Sequence, residues 1–172
     1  TAFTLALARE LSSASSMIHL IDGDFRTHSL SKRVKNSSDN EKFSLTALSV
    51  DQKPVALPEF SRNEVVLVDL GSLPALGEAV HDRRWQGNLI ASILEASTQL
   101  FYVAGSTEEC LDELAQFLKE FPLLLRKVPI TYIFTLAGSS REMRAAEARF
   151  LSLTTAENRF IIREAQLTGS TS

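Results

Sequence analysis

Apolar residues at Phe3, Leu7 and Leu11 recur every four positions, with Arg9 and Glu10 off the stripe, and this spacing predicts an opening helix. The serine-rich stretch 12–16 interrupts it. Residues 17–21 then read as a short buried strand ending in Asp22-Gly23-Asp24, and 25–34 as a helix. The polar stretch 35–42 (KNSSDNEK) reads as a loop, 44–50 as a short strand, and 51–63, with two prolines, as irregular chain. The clearest strand is Val65 to Asp69, five residues with no polar alternation before the terminal carboxylate.

Trp85, Leu89 and Ile93 mark a helix over 83–96, and 100–104 is another apolar strand. Leu111, Leu114, Leu118 and Phe121 form a strongly periodic stripe. Ser106 or Thr107 caps that helix, and Glu108 and Glu109 suit its dipole. A strand follows over 129–136, then a helix capped by Ser139 and reaching Leu153, then a last strand over 158–164. Strands without alternation, separated by helices, predict a doubly wound, mostly parallel α/β sheet with helices on both faces, in one domain over 1–166 with a flexible tail over 167–172. Such sheets take ligands at the carboxyl ends of their strands, where Asp22, Asp24 and Asp69 fall.

Composition narrows the function classes. At 172 residues, 44% hydrophobic and 23% charged, the chain has an ordinary globular make-up. A net charge of −3 gives no footprint for DNA, and Lys32-Arg33-Val34-Lys35 reads as a solvated helix end. No apolar run is long enough to span a bilayer and no signal peptide is visible, so the expected compartment is the cytoplasm. Cys110 is the only cysteine and reads as a small buried hydrophobe. His19 falls within a strand, while His28 follows the acidic pair and His81 sits on a loop. No two histidines have metal-ligand spacing on a helix.

Three carboxylates gathered at one sheet edge would repel unless a cation or a positive group compensates, and Mg²⁺ suits such an oxygen-rich site. The alternative, of equal weight on spacing alone, is that Asp22 caps the turn around Gly23 and Asp69 the loop through Gly71, both binding backbone N–H groups.

The order of "TAFTLALAREL", "IHLIDGDFRTHSLSKRV", "VVLVDLG", "GNLIASILEASTQLFYVAGSTEECLDEL" and "VPITYIFT" resembles the ParA/MinD group of P-loop ATPases. The resemblance is closest to the CpaE/TadZ-like branch associated with pilus assembly and polar localisation. It implies a P-loop NTPase-like fold lacking its first strand here, with Thr1 standing where the phosphate loop ends in threonine. It also implies ATP and Mg²⁺ as cofactors, slow hydrolysis, a homodimer around nucleotide, and a protein partner in a localisation or secretion machinery. Residue by residue, Thr1 and Asp69 would hold Mg²⁺, and Asp22 or Asp24 would orient the attacking water. Thr1, Ser106 and Thr107 would line the nucleotide side. The chain departs from the family in having no G-x-x-x-x-G-K-[ST], and in carrying Thr135 near the position where an asparagine reads adenine. Two readings compete. One is a receiver-like domain with Asp69 as phospho-acceptor, Asp22 and Asp24 on Mg²⁺, Thr107 sensing the phosphoryl group and Lys127 pairing with it. The other is an inactive protein-binding scaffold.

Overall fold

The computed structural model describes residues 1–12, 17–24, 27–35, 43–48, 64–71, 85–120, 127–136 and 140–163. The architecture is α/β, and the chain divides into two compact units, Thr1–Leu73 and Pro74–Ser172.

In the first unit, α1 (Ala2–Leu11), β1 (Ile18–Asp22), α2 (Ser29–Lys35), β2 (Ser44–Ala47) and β3 (Val65–Asp69) build a three-stranded sheet of order β2-β1-β3. Both strand pairs are parallel, and Asp22 lies directly opposite Asp69 in the register. Ile18 and Leu20 of β1 point to the same face as Val65 and Leu67 of β3, and that face is covered by Leu5 and Ala8 of α1 and Leu30 and Val34 of α2. The opening helix was legible, but its buried stripe is Leu5 and Ala8, with Phe3, Leu7 and Leu11 only half-buried. The reason is spatial. A helix of 3.6 residues per turn carries several apolar stripes here, and the packing of α1 against α2 and the sheet selects the one through the small Ala8.

The second unit contains α3 (Trp85–Ala96), β4 (Leu100–Ala104), α4 (Glu108–Glu120), β5 (Ile130–Leu136), α5 (Arg141–Leu153) and β6 (Arg159–Arg163). Its sheet runs β4-β5-β6, again parallel throughout. Leu111, Leu114 and Phe117 of α4 and Phe150 of α5 close over Ala104, Tyr132 and Phe134, with Phe150 stacked on Phe134 at 4.7 Å between ring centroids. The sequence stripe on α4 therefore holds at Leu111 and Leu114, while Phe117 completes it and Leu118 flanks it. Ser140, one residue after the expected Ser139, caps α5 by accepting from Met143 N at 3.2 Å. At the other end of α5, Arg159 Nη1 donates to the carbonyls of Leu151 and Thr154 at 2.8 and 2.9 Å, which satisfies acceptors that a helix end leaves free. Cys110 is half-buried, less enclosed than its pattern suggested. No helix among the described residues is long and apolar enough to cross a membrane.

The interruption at 13–16, the polar loop over 36–42, the irregular 51–63, His81, Ser139 and the tail lie outside the described residues.

Candidate functional site

The carboxyl ends of β1 and β3 meet at the tip of the first sheet. Two parallel strands in register carry Asp22 and Asp69 side by side, and Gly23 N donates to Asp69 O at 2.8 Å, tying the two strand exits together. All three acidic residues are enclosed: Asp22 is 0%, Asp69 6% and Asp24 9% exposed. Burial of this degree requires partners.

Asp22 has them in the backbone. Its Oδ1 accepts from Asp24 N at 3.2 Å and its Oδ2 from Ser31 N at 2.8 Å, so both oxygens bind main-chain amides. Its own carbonyl accepts from Leu48 N at 2.9 Å, which anchors the exit of β2 as well.

Asp24 is held by side chains as much as by the main chain. Its Oδ1 accepts from Thr27 N at 3.1 Å, and its Oδ2 accepts from the Thr27 hydroxyl and, at 3.0 Å, from Ser29 Oγ. The two hydroxyls also contact each other. His28 follows with φ of 49°, and its amide donates to Asp24 O at 3.1 Å. Thr27 and Ser29 did not stand out in the sequence, although the D-x-x-T-x-S spacing is the one at which hydroxyls and amides close back on an aspartate.

Asp69 is divided in its duties. Its Oδ1 accepts from Gly71 N at 2.9 Å. Its Oδ2 lies 3.1 Å from the main-chain nitrogen of Thr1 at the start of α1, and is buried without an aligned hydrogen bond. The residues expected to share Mg²⁺ are thus neighbours in space from opposite ends of the unit. A buried oxygen of this kind fits a hard cation, which takes oxygen ligands. Among the described residues no group of three or more His, Cys, Asp or Glu could hold a metal alone, so phosphate and water oxygens would have to complete such a shell.

Gly71 closes the site. It adopts φ of +69°, and a Cβ there would stand 2.6 Å from Asp24 Cγ and 2.8 Å from Asp24 Cβ. Only glycine fits that approach. Of the other expected residues, Ser106 and Thr107 follow β4 in the second unit, where Thr107 Oγ1 accepts from Cys110 N at 3.4 Å and so caps α4. Thr135 Oγ1 donates to Ala104 O at 3.2 Å, tying β5 to β4, and Lys127 is exposed before β5. His19 Nε2 comes within 3.4 Å of Glu64 Oε1 near the start of β3, away from the carboxylates.

No protein-family model, curated protein or solved structure matches this chain.

Proposed function

We propose that this chain is the body of a ParA/MinD-type, CpaE/TadZ-like regulator. In this reading it binds Mg-ATP with a phosphate loop leading into α1, hydrolyses it slowly, and couples nucleotide state to dimerisation and to a protein partner of a localisation or assembly machinery. The observation that carries the reading is that the start of α1 places Thr1 beside the buried Oδ2 of Asp69, two residues from distant parts of the sequence that the resemblance assigns to one cation.

Topology supports it. Helices α1 and α2 pack on each other and cover the same face of the sheet. Parallel crossovers are right-handed almost without exception, so helices on one face advance the chain in one direction across the sheet. The step β1–α2–β2 moves from β1 away from β3. A strand feeding α1 would by the same rule lie on the β3 side of β1, at the outer edge of β3. Its loop into α1 would then turn beside Asp69.

The residues divide the labour accordingly. When bound, Mg²⁺ with its phosphate partners supplies the charge neutralisation that phosphoryl transfer to water needs. Thr1 and Asp69 would hold it. Asp22, committed to two amides, anchors the loop. Asp24 takes the water-orienting role, because its Oδ2 accepts from the Thr27 and Ser29 hydroxyls, which can rotate, while its Oδ1 stays on the Thr27 amide. The test is equilibrium binding of ATP to the full natural chain, with and without Mg²⁺. The Mg²⁺-dependent part should be present in the wild type and weakened about tenfold or more by Asp69→Ala, the loss of one charge-assisted ligand contact. Absence of Mg²⁺-dependent binding in the wild type ends the reading, and covalent labelling of Asp69 by a small phosphodonor would identify a receiver instead.

A further inference from the structure

The loops that leave β1 and β3 touch at one point. Gly71 lies with its α-carbon against the Asp24 side chain so closely that a single added methyl would overlap it. The same residue donates its amide to Asp69 Oδ1. Asp24 in turn holds the Thr27 amide and the Thr27 and Ser29 hydroxyls, and Ser29 is the first residue of α2. A continuous chain of contacts therefore runs from Asp69 through Gly71 and Asp24 to the start of α2.

We propose that Gly71 is a positioning residue that makes the two carboxylate loops move as one, so that a displacement at Asp69 is delivered to Asp24 and to the first turn of α2. The inference deepens the nucleotide reading, on which its biological use rests, by naming how occupancy at Asp69 would be passed on. The coupling itself is a property of packing: Gly71 cannot shift toward Asp24 without pushing it, and Asp24 cannot turn without opening space that Gly71 occupies.

Amide hydrogen exchange tests this in the full natural chain without any nucleotide. In Gly71→Ala the Thr27 amide, whose acceptor is Asp24, should exchange about tenfold faster, as expected of a local opening, while the Val34 amide, inside α2, changes little. If Thr27 is unaffected, or if all amides of the first unit accelerate alike, the coupling is overturned. The complementary variant, Asp24→Ala, removes the obstacle without straining Gly71 and remains informative should Gly71→Ala fold poorly. It should accelerate exchange of the Gly71 amide, and unchanged protection there would overturn the proposal. A wild type that binds no ATP yet shows coupled exchange would remove the ATPase reading and leave the coupling standing.

Discussion

Asp22 shows what a single buried residue can decide. It reads in the sequence as half of a candidate catalytic pair, and in the fold it is the fully enclosed acceptor of two amides from different segments. Asp22→Ala should therefore lower stability by about 1–3 kcal/mol for each donor it orphans, read as a lower urea midpoint with an unchanged slope for the transition of the first unit. A midpoint equal to wild type would mean that water replaces the carboxylate without cost. Asp69 differs, because one of its oxygens is already used by Gly71 while the other faces Thr1. The strand-ending positions of Asp22 and Asp69 were legible, with Asp24 two residues beyond β1, but the different partners of the three were not, since Ser31 and Thr1 reach them from other elements.

Among the elements, β4 and α4 make a testable pair. Tyr102 lies on the helix-covered side of β4 and packs on Phe117, with ring centroids 4.8 Å apart. Burial first, then the charges of Glu113 and Cys110, push its phenol up from 10.0 to about 12. Burial moves Tyr132 in the same direction. A raised folded value means the neutral phenol is the form the fold favours. The stability it contributes is whole below pH 10 and is lost as the pH climbs through 12. Chemical denaturation between these limits should show the wild type losing stability more steeply than Tyr102→Phe, and parallel curves would refute the assignment. The strands and helices of this unit were almost all readable, because Leu111 and Leu114 keep helical period and 100–104 is apolar throughout. Cap placement was less secure: adjacent serines at 139 and 140 are equivalent in the sequence, and Ser140 accepts from Met143 N.

At the scale of the whole chain, the described residues form two cores that share none of them, one around Leu20 and Leu30 and one around Phe134 and Phe150. Unfolding of the 172-residue chain should then depart from a single cooperative transition. Phe150→Ala, which removes a ring with 0% exposure, should cost its own unit about 3–5 kcal/mol. In calorimetry one transition should fall in temperature while the other stays, whereas a common shift would show that the units unfold together.

What the sequence determined by itself was the kind of each element and the α/β class, because strand and helix periods are local properties of the chain. It also placed the acidic residues at strand ends. Tertiary structure decided the rest: which stripe of α1 is buried, that the strands form two three-stranded sheets among the described residues, and which carboxylate oxygen is buried without a hydrogen bond. Each of these depends on groups brought together from distant positions, and the oxygen of Asp69 beside Thr1 is the clearest case. No local pattern encodes such a meeting; packing and strand register create it.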